Sequence, residues 1–510
     1  MKRFTLKNLL WFPILLFAVA IKAGGIQVGP GQTYKTIYAV TSIHAAHPGD
    51  TIYMHAGVYS DAGQVFDSLI GTPTQWITIR PYQNDSVSIH VEYTFQHAQY
   101  LKITGLNFYG NDKSDSGKYY HLLFFDYEYA CYKAIHNIII DNCKFTDLNV
   151  PIALGSSAAM LKFTGTDTFQ VVNCLFKNGF NIADGVSMNA DRNGVIQNCT
   201  FENMNGNGSH CKGGALNIRY ERNLFINCIA SAINIGGATG STFFCPSTSA
   251  KFEADSILVY SNITIGGTVG FDFITCNHSY VVNNTCFKST AFAFRCLNED
   301  TLYPFANNYC FNNIFAPYSV NGIYMNASSN VDYSTFYFKN NLFHDFKNTD
   351  PSSIYWGELK NVNVSGSIIG DPLFNDTAQR DLSLKSSSPA IAKGLTVSEP
   401  GTDYNGNNFN SKRSIGAIEY AGTTAVKNYE DANNISIYPN PSYGIFNISW
   451  MGAGYIKQVE VFNSKGQIVY SLKPLGYFIK INLINQPKGV YNTIINTNTG
   501  RVYEQKLVLQ

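Results

Sequence analysis

Charge is the first thing this sequence has little of. Asp, Glu, Lys and Arg make up 14% of its 510 residues, against roughly 25% in typical soluble domains. Lys+Arg 36 nearly cancels Asp+Glu 35, so the chain has no basic field for a polyanion, and no nucleic-acid partner is expected. Beyond residue 23 there is no apolar run long enough for a membrane-spanning helix. None of the 11 cysteines are spaced CxxC and the 10 histidines are scattered, which leaves a zinc site without ligand spacing. His44 and His47 lie three apart but read as surface residues. The glycines of "GGATGS" have no GK[ST] after them, so a phosphate loop is excluded. No paired DD or DxD offers the neighbouring carboxylates that calcium or an inverting hydrolase would want.

What is abundant is Tyr 33, Phe 35, Gly 42 and a recurring Asn, a composition for short strands joined by tight turns. The length exceeds what one core organises, so two units are expected. Residues 1–23 read as a secretory signal: Lys2, Arg3 and Lys7, then "LLWFPILLFAVA", then small residues at Ala18, Ala20 and Ala23. Export permits disulfides, and an odd cysteine count leaves at least one thiol unpaired in the monomer that is expected.

A degenerate unit repeats through the middle: "IIIDNCKF", "QVVNCLF", "VIQNCTF", "IRYERNLF", "VVNNTCF", "CFNNIF" and "FKNNLF". Its marker asparagines are Asn142, Asn173, Asn198, Asn223, Asn284, Asn313 and Asn341, with Asn262 a looser member, at intervals of 22 to 39 residues. Two or three short alternating strands per unit predict an all-β parallel β-helix, a solenoid with variable loops. Ile138 and Ile140 should face inward, Asn142 take the bend and Phe145 return to the core. Asn suits a bend because it tolerates the left-handed conformation. Cys143, Cys174 and Cys199 should stack inside as small unbonded hydrophobes, with Leu224, Ile263, Ile314 and Leu342 in the same slot of later coils.

At the front, "YKTIYAVTSIHAAHPGDTIYMHAGVY" predicts an amphipathic helix from about Tyr34, a Pro48–Gly49–Asp50 turn and a strand over Thr51–Met54, capping the solenoid's open end. The phrase "AAHPGDTIYMHAGVY" followed by "GTPTQWITIRPY" resembles the opening of secreted right-handed β-helix proteins of the pectate-lyase-like superfamily, and "DPLFNDTAQRDLSLKSSSPAIAKG" with "DYNGNNFNSKRSIGAIEY" resembles their closing coil. The resemblance implies a right-handed coil over 24–420 and a polysaccharide-active protein. After a linker at 421–434 the chain changes character. Tyr438–Pro439–Asn440–Pro441, Gly444, Asn463 to Gly466 and Gly489–Val490–Tyr491 resemble the C-terminal sorting domain of type IX secretion over 435–510. That implies a small β-sandwich, the secretion machinery as a partner, and a place in the medium or on the outer surface of a Gram-negative cell.

Outward residues of successive strands in a parallel β-helix form ladders. An ungapped 25-residue overlay of coils sets Val186–Ser187–Met188 against Cys211–Lys212–Gly213, so Ser187 and Lys212 should pair as neighbouring rungs of one outward ladder, with His210 beside Lys212. Asn234, Asp272 and Arg295 continue the face. A lysine and an arginine on one face suit β-elimination from a uronic acid: the amine takes the proton beside the carboxylate, and the guanidinium neutralises that carboxylate. Lys212 and Arg295 are therefore the expected catalytic residues, and His210, Asn234, Asp272 and Glu253 the expected substrate-binding ones. No cofactor is implied, and calcium is the one ion left open. The order "KGG", "INIGGATG", "FFCP", "FEA" resembles a recurring group of bacterial β-helix proteins in which Arg often precedes the Pro; Cys245 stands there instead. Two other functions compete: an inverting hydrolase using Asp272 with Glu253 or Asp184, and a glycan-binding surface solenoid without chemistry.

Overall fold

The computed structural model describes residues 24–510 apart from 62–63, 111–119, 128–130, 151–157, 241–242, 246–250, 319–324, 330, 345–361, 422–434, 451–455, 473–477 and 498–500. The expected signal segment and all of the expected linker but residue 421 lie outside the described residues. Most of the chain is a parallel β-solenoid. Its described residues form three long sheets of 16, 12 and 10 strands, and neighbours in each sheet come from successive coils. At the front the expected helix is a short one, Ile37–Thr41, whose N-cap Thr36 accepts from the Ala39 backbone N–H, and the following strand is Thr51–Met54.

Each coil follows from local chemistry. Ile138, Ile140 and Phe145 are buried, and Asn142 takes the bend at φ 50°. Through the early coils the phenylalanine closing each unit stacks on its counterpart one coil away; the same column then passes through Thr264 and Cys286 to Phe315 and Phe343, while Phe287 joins the outer flank. Phe108, Phe145, Phe176, Phe201 and Phe225 lie 4.6–4.8 Å apart with rings within 6° of parallel, so they form one continuous aromatic stretch of the core.

The bend position itself is corrected by the structure. Left-handed residues are Asn142, Asn173, Asn198, Arg222, Ser261, Asn283, Asn312 and Asn340. The sequence marker therefore merges two positions from the fourth coil onward, because a second Asn, or an Arg or Ser, stands just before it. The slot after the bend holds Cys143, Cys174 and Cys199, free and buried as expected, and then Asn223, Asn262, Asn284, Asn313 and Asn341. In this interior ladder each side-chain carbonyl accepts from the backbone N–H one coil earlier. Cys199 N donates to Asn223 Oδ1 at 2.9 Å, Asn223 N to Asn262 Oδ1 at 2.9 Å and Asn262 N to Asn284 Oδ1 at 2.8 Å. Their amide groups donate in turn to backbone carbonyls such as Ile196 and Val259 at 2.8 Å. Five buried amides are tolerated because their polar groups are satisfied by the coils above and below.

Leu224, Ile263, Ile314 and Leu342 do not share the cysteine slot. They point outward from the twelve-stranded sheet, in register with Thr200, Leu175 and Lys144 of earlier coils. There they join Phe374, Leu382, Leu384, Tyr404, Ile415 and Ala417 in a second core. The closing segment thus lies along the flank of the solenoid, and the outward strand positions turn apolar where it covers them. Gly416 N bonding to Asn312 O at 2.7 Å and Ala417 N to Thr285 Oγ1 at 3.0 Å fix it in place.

The C-terminal residues form an antiparallel three-stranded sheet and an antiparallel four-stranded one. Phe446, Ile448, Trp450, Val459, Val461, Ile481, Ile495, Tyr503 and Leu507 make up their shared core, the small sandwich that the hairpin pattern predicts.

Candidate functional site

The outer face of the ten-stranded sheet collects the polar ladder. Val186, Met188, Cys211, Ile233, Ile235, Phe271, Phe273 and Phe294 fill the interior, and period-2 alternation turns their neighbours outward. Residue by residue, the register gives one column of Lys162, Ser187, His210, Asn234, Asp272, Arg295 and Asn326 on successive coils. Lys212 stands in the next column on the same face, opposite Asn189. The rung that pairs Ser187 with Lys212 is thereby corrected: Ser187 faces His210. The turn before Ser209–Lys212 is two residues shorter than the equivalent turn one coil earlier, since Gly179 pairs with Met204 but Val186 with Ser209. An ungapped overlay cannot register this. Gly213 and Gly214, at φ 66° and 92°, then absorb one residue in a turn that only glycine enters without strain.

Although outward, most of this column is buried. Lys162 donates from Nζ to Ser187 Oγ at 2.9 Å. Burial first, with the charge of Lys212 adding to it and Asp191 and Asp184 opposing, lowers the Lys162 pKa to about 8. Asp191, fully buried and holding the Thr166 N–H at 2.7 Å, is raised to about 7 by desolvation. Neither residue was found by sequence reasoning, but Lys162 was legible: in Ala159–Thr164 the inward Leu161 and Phe163 flank it, and the ladder only needed extending one coil back. Asp191 carries no such signal, because it lies past the strand end at a corner.

His210 directs Nε2–H to Gly236 O at 3.0 Å, and its Nδ1 faces Asp184 Oδ2 at 3.7 Å. Asp184 is held in turn by Asn207, whose backbone N–H donates at 2.6 Å. Asn234 lies between His210 and Asp272, its Oδ1 buried without a hydrogen-bond partner. Asp272 is fully buried and takes both Nε–H and Nη2–H of Arg295, at 2.5 and 2.6 Å, together with the hydroxyl of Ser231. Burial raises the Asp272 carboxyl above the usual range, and the Arg295 bonds pull it back. Glu253 is also fully buried. It accepts from Gly213 N at 2.8 Å, Thr239 N at 2.5 Å and Thr239 Oγ1 at 2.7 Å, tying the glycine turn after Lys212 to the excursion that follows Gly236. Lys212 itself is half-buried, with Gly237 against its methylene stem, and its amine has no ion-pair or hydrogen-bond partner among the described residues. Among the described residues no three His, Cys, Asp or Glu side chains are grouped to hold a metal ion.

Cys245 is bonded to Cys131, with Cα atoms 5.6 Å apart. The disulfide fastens the excursion to the segment that follows His121–Phe125.

Residues 436–510 match the family model of the secretion system C-terminal sorting domain. The chain carries a type IX sorting domain. The protein is therefore exported, to the cell surface or the medium. No curated protein matches the chain significantly. Among solved structures, a GH136 lacto-N-biosidase from Eubacterium ramulus is similar at 13% identity, with a TM-score of 0.46, 68% of this chain and 67% of that one covered. An alginate lyase from Paenibacillus is similar at 15% identity, with a TM-score of 0.37, covering 60% of this chain and 98% of that one. The Dettilon tailspike protein follows at 11% identity, with a TM-score of 0.40 and coverage of 91% and 77%. At that similarity no residue role passes from those proteins to this chain.

Proposed function

We propose that this exported β-helix is a polysaccharide lyase, cleaving a uronic-acid-containing glycan by β-elimination on the outer face of its ten-stranded sheet. The observation that carries the reading is the unpartnered amine of Lys212 on a face where the neighbouring carboxylates are already engaged. Lys212 removes the proton on the carbon beside the substrate carboxyl. The bond from the adjacent ring carbon to the glycosidic oxygen breaks, a carbon–carbon double bond forms, and the departing oxygen takes a proton from solvent water, to which Lys212 returns the one it removed. Arg295 neutralises the carboxylate through Nη1, which its pairing with Asp272 leaves free. The two residues are three coils apart, roughly 14 Å across the sheet and about 7 Å along it, a gap that two long side chains leaning toward one sugar can close. His210 and Asn234 line that gap. Asp272 and Glu253 act as positioning residues, for Arg295 and for the turn after Lys212.

Inverting hydrolysis is disfavoured by the same geometry. It needs an acid and a base roughly 6.5 to 9.5 Å apart with room for a water, whereas Asp272, Glu253 and Asp184 are each buried and hydrogen-bonded within the protein. The test is incubation with alginate, pectate and glycosaminoglycans. A lyase produces the ultraviolet absorbance of unsaturated uronates, and Lys212→Ala abolishes it. New reducing ends without that absorbance would establish a hydrolase instead, and retention of glycan without product a binding protein.

A further inference from the structure

The excursion that begins at Lys212's neighbour Gly237 carries an aromatic residue out of the protein. Phe243 is 60% exposed. Yet its backbone is pinned on both sides. Asn189, which stands opposite Lys212 in register, donates from Nδ2 to Phe243 O at 3.0 Å, and Phe243 N donates to Gly240 O at 2.9 Å. The next two residues are anchored as well: Phe244 is buried, with its ring 5.3 Å from that of Tyr303, and Cys245 is held by the disulfide and by Tyr132 Oη at 2.8 Å. Residues anchored in this way present the exposed ring in one place at little further entropic cost.

We propose that Phe243 is a sugar-stacking platform, receiving the apolar C–H face of a pyranose unit of the same polymer whose neighbouring unit lies at Lys212. A pyranose ring has a face of axial C–H bonds with no hydroxyl groups, and these bonds, positive at hydrogen, meet the negative face of the phenyl ring. The platform adds affinity and fixes which unit of the chain stands at Lys212. It selects a pyranose with one face clear of axial hydroxyls. The inference rests on the glycan reading above for its ligand but not on the lyase chemistry.

The test uses the full exported chain with Phe243→Ala and Phe243→Trp variants, read by affinity electrophoresis through alginate, pectate and chondroitin sulfate gels. Phe243→Ala is expected to weaken retention by the retaining polymer about fivefold to tenfold with the thermal midpoint unchanged. Phe243→Trp is expected to keep retention and to change its fluorescence emission when oligosaccharides of that polymer are added. Wild-type retention in Phe243→Ala, or an unmoved tryptophan emission at saturating oligosaccharide, overturns the platform. Retention that depends on Phe243 without any cleavage leaves the platform standing and removes the lyase reading. Cleavage with KM and retention untouched in Phe243→Ala does the reverse. No retention of any polymer by the wild type overturns the platform outright.

Discussion

The sixteen-stranded and ten-stranded sheets are wound from the same coils with the same inward apolar alternation, yet their outer faces treat their lysines differently. On the larger sheet, cations meet carboxylates from the same or an adjoining coil: Arg192 with Asp167 at 2.8 Å, Lys102 with Asp141 at 2.9 Å and Arg219 with Glu221 at 2.5 Å. These pairs are part-exposed and of the kind worth little individually. On the smaller sheet one carboxylate, Asp272, pairs with Arg295, while Asp184 and Glu253 are buried and take backbone hydrogen bonds, leaving Lys162 on a hydroxyl and Lys212 without a partner among the described residues. A face that neutralises itself is inert toward a charged polymer, whereas one that leaves amines unpaired can hold and attack it. The third, twelve-stranded face is covered by the closing segment from Leu224 onward.

The sharpest way to break the comparison is to remove one lysine from each face. Lys212→Ala should lower turnover of the cleaved glycan by about 10² to 10⁴-fold and leave the thermal midpoint near that of the wild type; Lys102→Ala should leave turnover unchanged. Equal activities in the two variants would end the assignment of the site. Next come the carboxylates. Asp272→Ala strands Arg295 and Ser231, and is expected to cost about 3–5 kcal/mol in denaturant unfolding. Asp167→Ala, at a part-exposed pair, should cost no more than about 1 kcal/mol. Similar losses would mean that burial does not distinguish the two faces.

The last contrast is read in the pH dependence of stability. The Lys162 pKa is about 8 in the folded chain and about 10.4 when unfolded. Between those values the unfolded chain binds more protons, so stability should rise with pH, by up to about 3 kcal/mol. Asp191 works in the opposite sense. Its carboxyl is raised to about 7 from about 3.9, so its folded form holds the extra proton and stability falls as pH rises through that window. A trough between about pH 7 and 8 follows from the two slopes. Lys162→Met should remove the alkaline rise, and urea midpoints from pH 7 to 10 that climb as steeply in the variant as in the wild type would refute it.

Which residues lie inside a coil was legible because alternation and the left-handed tolerance of Asn are properties of a few consecutive residues. Ile138, Ile140, Asn142 and Phe145 fall where the sequence puts them. The same logic placed Lys212, His210, Asn234, Asp272 and Arg295 on one face. Column assignment was not legible, since it depends on how many residues each turn consumes, and the short turn at 205–208 moved Lys212 one column over. The pairing of Asp272 with Arg295 across the rungs was open to the same logic, but the fate of Glu253 was not visible: a carboxylate in a sequence looks equally free whether it reaches a substrate or is consumed by Thr239. Leu224 and Ile263 were misread because an apolar residue facing outward is distinguished from one facing inward only by what covers it.

The sequence by itself determined that this chain is an all-β solenoid with an export domain at its end, because strand periodicity, bend residues and terminal motifs are local signals repeated until they are unambiguous. Only the tertiary structure decided which side chains stand in one column and which of them are already engaged. That outcome depends on register between coils, on a closing segment more than a hundred residues from some of the strands it covers, and on partners that satisfy a carboxylate from 14 to 40 positions away, none of which any short stretch of sequence contains.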